Sequence, residues 1–374
     1  MGNNKAQQSF PDLAGLKIMG CFPLYPPSEL FHALGLTPVT LWNLQGKTPN
    51  LEKADSHIQS FTCSIARQLA QFVLQEESFL DGIFSYNACD TLRNMPEILE
   101  EGLKAENRQL PFFQMHLPMV SLQREEAREY FRKQVSQLIE QLEEFTGNSL
   151  DGKAFQQSAE LYFRLRQTAN RLGAKVSNGK VSYVTFTRTL LENNFRPPEK
   201  QLEELLKVEK GIGDKASDSE TSETSPPGII LSGIQAPPIS VIEAIENAGL
   251  RVVSNDIATQ CRTYSSQPEP SADPLTYLEE FYRYHFPCST LQPTVEQRPS
   301  ILRRKIKDTG AKGIIFSGEK FCEYEFLEYP YLQNHLQEED VHTLTLEFSV
   351  DDYAKESGAH QTRIEAFAEI LHKS

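Results

Sequence analysis

With 374 residues, 39% of them hydrophobic, the chain is globular in composition and too long for one ordinary core, so two or three domains are expected. Its formal net charge of −14, carried without a basic stripe, excludes broad nucleic-acid binding, and its longest apolar runs, at 228–231 and 313–316, fall far short of the roughly 20 residues that span a bilayer. The six cysteines, Cys21, Cys63, Cys89, Cys261, Cys288 and Cys322, are dispersed and form no CxxC pair, which excludes a disulfide scaffold and the local signatures of zinc ribbons and ferredoxin-type clusters.

Residues 1–11, MGNNKAQQSFP, carry neither the apolar core of a secretory signal nor an arginine-rich transit pattern. A soluble, cytoplasmic protein is expected. A strand at 16–19 leads through GCFPLYPP into a helix opening at Ser28, with Glu29 in its first turn, and Gly35 precedes a strand at 39–42. The same arrangement of strand, glycine, double proline, helix, Gly-Leu and strand returns in ILSGIQAPPISVIEAIENAGLRVVSND, from Ile230. Such self-similarity predicts two related α/β modules.

The first module continues with a helix at 64–76, a strand GIFSY that runs on to Cys89 and Asp90, a helix at 92–99 and a strand at 111–117. Alternating strands and helices imply a parallel, doubly wound sheet. Two apolar stripes at helical spacing follow, one from Ala127 through Phe131, Leu138 and Phe145, the other from Phe155 through Tyr162, Leu165 and Leu172. These aromatic stripes are read as core. The polar run at 207–227, KVEKGIGDKASDSETSETSPP, holds too few apolar side chains to order itself and reads as a linker. The second module holds helices near 274–286 and 295–309, the strand leading to Cys322 and Glu323, a strand at 341–348 and a closing helix bearing Ile364, Phe367 and Leu371. The expected architecture is therefore two Rossmann/flavodoxin-like, doubly wound parallel-sheet modules, at 1–120 and 228–374, with a helical region at 121–206 and a flexible linker at 207–227.

Chemistry enters through the cysteines. Cys89 and Cys322 each follow a strand and precede a carboxylate, Asp90 and Glu323, and the carboxyl ends of strands are where open α/β sheets bind ligands. Cys63 opens a helix, where the dipole and unpaired N–H groups favour a thiolate. Thiols on loops at one edge could hold an iron–sulfur cluster with one iron left open. Cys21, Cys261 and Cys288 also lie in expected loops, and a free cysteine is more often a small buried hydrophobe than a ligand, so composition alone does not choose among the six. Gln45-Gly46-Lys47-Thr48 echoes the end of a phosphate-binding loop, but Leu41 stands where its first glycine belongs and Pro49 obstructs the helix. No ATP site is read there. HExxH and GxSxG motifs are absent.

The segments PLYPPSELFHALGLTPV, FTCSIARQ, YNACDTLRNMPEIL, SGIQAPPISVIEAIENAGLRVVSND, FPCS, GEKFCEYE and TRIEAFAEIL together resemble the iron–sulfur subunits of the 2-hydroxyacyl-CoA dehydratase and benzoyl-CoA reductase family. The resemblance covers nearly the whole chain with its motifs in order. It implies that Cys63, Cys89 and Cys322 ligate one [4Fe-4S] cluster. It also marks Glu29 as a candidate substrate-side acid or base, against the plainer role of a first-turn carboxylate complementing the helix dipole. Cys261 and Arg262 match a family loop near the active site, and Cys288 a proline–cysteine pair of structural character.

The implied activity is an ATP-activated, oxygen-sensitive, anaerobic elimination of water from an (R)-2-hydroxyacyl-CoA by way of a ketyl radical. A benzoyl-CoA-type reductase subunit and a non-catalytic electron-relay subunit are the alternatives, and a zinc- or thiol-based binding module is a reading from a different class. The implied partners are a paralogous second subunit, or a second copy of this chain, and a separate ATP-hydrolysing iron–sulfur activator, with neither nucleic acid nor membrane involved. The cysteine-bearing GCFPLY loop and the polar insert before Pro226 depart from the commoner family pattern, and the first of these leaves the substrate open.

Overall fold

The computed structural model describes residues 10–42, 44, 47–48, 50–75, 79–211, 226–285, 288, 290–291, 295–349 and 357–373. Gln45 and Gly46 of the rejected phosphate loop, most of the expected linker, and the neighbours of Cys288 in the FPCS motif lie outside the described residues.

The described strands form two four-stranded sheets, parallel throughout. In the first, β1 (Ile18–Phe22), β2 (Thr37–Thr40), β3 (Gly82–Tyr86) and β4 (Phe112–Met115) lie in the order β2-β1-β3-β4. The second repeats the plan with β5 (Gly228–Gly233), β6 (Arg251–Ile257), β7 (Gly313–Glu319) and β8 (His342–Phe348), in the order β6-β5-β7-β8. β1, β3 and β7 are buried along their whole length, as parallel strands covered on both faces must be. The expected pair of flavodoxin-like modules is thus the observed fold.

The helices beside the first sheet are α1 (Ser28–Ala33), α2 (Glu52–Asp55), α3 (Ser64–Leu74), α4 (Asp90–Arg93) and α5 (Met95–Ala105). A helical layer follows, of α6 (Glu125–Thr146), α7 (Gly152–Ser177), α8 (Tyr183–Asn193) and α9 (Pro198–Gly211). With the second sheet come α10 (Ile239–Asn247), the short α11 (Thr263–Ser265), α12 (Pro274–Arg283), α13 (Arg298–Thr309), α14 (Glu323–Leu336) and α15 (Ser357–Lys373). Both copies of the double-proline motif do the same work, since α1 and α10 each start directly after a proline cap, Pro27 and Pro238. No helix among the described residues is long and apolar enough to cross a membrane.

Two elements bind the modules together. α7 buries Phe155 and Ala159 in the first core and Leu165, Ala169, Leu172 and Val176 in the second, so one rigid rod is shared. α12 follows the second module's β6 but buries Tyr277, Leu278, Phe281 and Tyr282 in the first core. Within the second sheet, at the carboxyl end of β5, a Cβ on Gly233 would sit 2.2 Å from the carbonyl oxygen of its β7 partner Ser317, a space that only glycine leaves free.

The structure departs from the sequence reading in three places. β1 continues through Gly20-Cys21-Phe22, pairing Cys21 with Thr40 and Phe84, so Cys21 is a strand residue with no exposed surface and not a loop residue. Cys261 lies in a π-helical turn, Ala258–Arg262. α8 and α9 are not legible in the apolar pattern: α9 buries mainly Leu202 and Leu205 among charged residues, and α8 mixes its buried Tyr183, Phe186 and Leu190 with threonines of low helix propensity. α8 is started by Ser182, whose Oγ accepts from the Thr185 N–H at 3.1 Å.

Candidate metal centre

The carboxyl ends of the two sheets face each other. Across the join, the Tyr86 hydroxyl donates to the Thr290 carbonyl at 3.3 Å and the Tyr25 hydroxyl donates to Cys288 Sγ at 3.2 Å. Along this crevice Cys63, Cys89 and Cys322 occupy equivalent positions: each is the N-cap residue of a helix, of α3, α4 and α14 respectively. The Leu92 N–H donates to Cys89 Sγ at 3.4 Å. Backbone N–H groups in the first turn favour the thiolate at all three, from Ala66 at Cys63, from Leu92 and Thr91 at Cys89, and from Glu325 at Cys322. All three thiols are partly exposed, whereas Cys21 and Cys288 are buried.

The three sulfurs share one environment. Burial is the largest influence on each and pushes the Cys63 thiol up to about 12, with Cys89 and Cys322 also raised. Cys89 raises the pKa of Cys63, and both Cys63 and Cys89 raise that of Cys322, as neighbouring like charges do. All three pack against the first core, although Cys322 belongs to the second module. Among the described residues no group of three or more His, Cys, Asp or Glu is arranged to hold a single metal ion. A cluster makes a different demand, because each thiolate binds a different iron and the sulfurs stand around a shared space. A soft, all-thiol donor set fits such a cluster and not a hard cation.

The carboxylates singled out beside the cysteines, Asp90 and Glu323, are exposed. The buried ones are Glu319 and Glu325. Glu325 accepts from the Ile234 N–H at 2.6 Å, the Glu319 N–H at 2.8 Å and the Tyr329 hydroxyl at 2.7 Å, which fastens the turn carrying Cys322 to both β5 and β7. Burial raises its pKa against the pull of those donors. The spacing Cys322-x-x-Glu325 is that of a capping box with sulfur in place of hydroxyl, a pattern by which the sequence could have marked this residue. Glu319 carries no such mark; its side chain reaches Ser64 of the other module.

Glu29 lies in the first turn of α1 with no exposed surface. One of its oxygens accepts from Arg166 and, at 2.7 Å, from the Tyr277 hydroxyl; the other has no hydrogen-bond partner among the described residues. Arg262 is fully buried and donates to Asp256 Oδ1 and Oδ2 at 3.0 Å each and to Cys288 Sγ at 3.3 Å. Cys288 also lies 3.1 Å from Thr290 Oγ1, so its sulfur is held within a polar cage. A cavity of about 120 Å³ opens further along the crevice, lined by Tyr25, Trp42, Tyr162, Arg166, Gln260 and Tyr264 among others. Among the described residues no cysteine lines it, and it is a separate space from that beside the three thiols.

Two similarly built α/β modules, with thiols from both presented at helix N-termini, define a two-module α/β scaffold of flavodoxin-like plan. The particular family follows from comparison: residues 23–371 match the model of the 2-hydroxyglutaryl-CoA dehydratase D-component family, and the chain belongs to that family. It is 28% identical to the (R)-phenyllactyl-CoA dehydratase beta subunit of Clostridium sporogenes, over 96% of this chain and 92% of that one. It is 26% identical to the (R)-2-hydroxyglutaryl-CoA dehydratase beta subunit of Acidaminococcus fermentans, over 96% and 93%, and 24% identical to a benzoyl-CoA reductase subunit of Thauera aromatica, over 92% and 87%. The chain is accordingly a component of the acyl-CoA dehydratase and reductase type.

Proposed function

We propose that this chain is the cluster-bearing subunit of an acyl-CoA dehydratase that removes water from an (R)-2-hydroxyacyl thioester, working with a second, related subunit and with an ATP-hydrolysing activator. What supports the reading is that Cys63, Cys89 and Cys322 occupy matching helix-cap positions and all pack against the first core, within a chain of this family. Those three residues would hold a [4Fe-4S] cluster. When bound, the cluster would supply the low-potential single electron that makes loss of water feasible where the departing hydrogen is not acidic.

The chain's own residues do the rest. The three helix N-termini direct N–H groups at the thiolates and so offset their negative charge. The flanking buried tyrosines and apolar strand ends limit the access of bulk water to the half-buried thiols. Glu29, tied to Arg166 and Tyr277 in a fully buried pair, enters as a structural carboxylate joining α1, α7 and α12, not as the acid or base of the reaction. The relatives are named as subunits, which supports a partner chain.

The likeness to the benzoyl-CoA reductase subunit favours one second reading, in which the same electrons reduce an unsaturated bond. Anaerobically purified protein is expected to be brown with about four irons per chain; a colourless protein with stoichiometric zinc refutes the cluster. Turnover of 2-hydroxyacyl-CoA and benzoyl-CoA substrates, with ATP and activator, should fall to background when this chain is omitted. Unchanged turnover rejects the catalytic role.

A further inference from the structure

Two of the thiols come from the first module and one from the second, so the site exists only if the turn bearing Cys322 is fixed against the helix that begins at Cys63. We propose that Glu319 and Ser64 are the positioning pair that sets this distance, a latch between modules located at the site itself. The inference rests on the three-thiolate reading above.

Glu319 ends β7 and is only 3% exposed; Ser64 follows Cys63 directly, opens α3 and is 2% exposed. The Ser64 hydroxyl donates to the Glu319 carboxylate. A buried carboxylate is costly without such partners, and this one draws a partner from the opposite module. The backbone of the same residue closes the turn: the Cys322 N–H donates to the Glu319 carbonyl at 3.0 Å, and the Glu319 N–H donates to Glu325 at 2.8 Å. Glu325 in turn binds the Ile234 N–H, at the end of β5. The turn is therefore tied to its own sheet by Glu325 and to the other module by the Glu319 side chain.

The turn is also under tension. Phe321 has φ of +63°, a conformation that bulky side chains adopt only when the surroundings enforce it. Its ring is 60% exposed and gains little from packing. Without the Ser64 hydrogen bond the turn keeps its ties to β5 and β7 but loses this tie to α3, and Cys322 shifts relative to Cys63. Cys63 and Cys89, both held by the first module, keep their relation to each other.

The test uses the full-length, iron-free chain and the bifunctional thiol reagent dibromobimane, with cross-linked pairs mapped by mass spectrometry. Glu319→Ala and Ser64→Ala should each lower the Cys63–Cys322 and Cys89–Cys322 yields by about tenfold, the weight of one hydrogen bond to a charged group. The Cys63–Cys89 yield should not change. Glu319→Gln keeps an acceptor for Ser64 and should restore the wild-type pattern. Cross-module yields within about twofold of wild type in Glu319→Ala, or a fall in all three pairs together, overturns the latch. Absence of every pair in the wild-type chain would instead overturn the three-thiol reading, and the latch with it.

Discussion

The most heavily loaded carboxylate of the second module is Asp256, and replacing it with Asn tests how the crevice is held. Asp256 is fully buried and serves three donor groups. Arg262 gives it two hydrogen bonds of 3.0 Å, Ser232 Oγ one of 3.0 Å, and Arg298 one more. Both guanidiniums are themselves buried. Asn keeps one carbonyl oxygen, and wherever that oxygen lies, its NH₂ faces a donor. Arg298 then keeps its contact with Glu328, while Arg262 is left with the backbone carbonyl of position 256 and Cys288 Sγ. Breaking a buried pair in this way costs about 3–5 kcal/mol, a large part of the roughly 5–15 kcal/mol that holds a folded protein together.

Urea unfolding followed by circular dichroism measures the loss. The exposed Asp90, paired with Arg93 at the surface, serves as control, and Asp90→Asn should change stability by less than about 1 kcal/mol. The pH dependence has a definite sign. Burial alone would raise the Asp256 pKa, but Arg262 and Arg298 overcome it and hold the carboxyl far below its ordinary range. A depressed carboxyl contributes its stability above its unfolded pKa, near 3.9, and loses it as pH falls toward the folded value. The gap between wild type and Asp256→Asn should be flat from about pH 8 to 5 and shrink below about pH 4. A gap under about 1 kcal/mol at pH 7, or one that widens on acidification, would refute this account.

Replacing Cys63, Cys89 or Cys322 with Ser is expected to remove cluster iron from anaerobically purified protein, whereas Cys21→Ser and Cys288→Ser should retain it; full iron in Cys322→Ser would break the two-module site. At position 321, Gly should give a more stable protein than Ala by about 1 kcal/mol in thermal unfolding, because only glycine adopts a positive φ at no steric cost. Equal stabilities would show that the turn does not enforce that conformation.

The paired architecture was legible because burial on both faces leaves parallel strands as short apolar runs, and because the double prolines before Ser28 and Ile239 repeat. Cys89 and Cys322 stood out for a related reason: each follows such a strand by three residues, where it caps the next helix. Less could be read where structure depends on few side chains, as in α9, or where a strand contains glycine and cysteine, as β1 does. Glu325 kept a local trace in its spacing from Cys322. Glu319, Asp256 and Arg298 left none, since their partners lie on other elements, and Arg262 was marked only by the family resemblance.

The sequence by itself determined the modules and which thiols sit at strand and helix ends, because both are local consequences of hydrophobic period, proline and chain reversal. Only the tertiary structure decided that Cys63, Cys89 and Cys322 each cap a helix and pack against the first core, and that one oxygen of Glu29 is bound by Arg166 and Tyr277. The physical reason is that a crevice between two sheets is made by packing. α7 buries one half in each core and α12 returns to the first, and these long-range contacts set which charges meet, at what distance and out of reach of water.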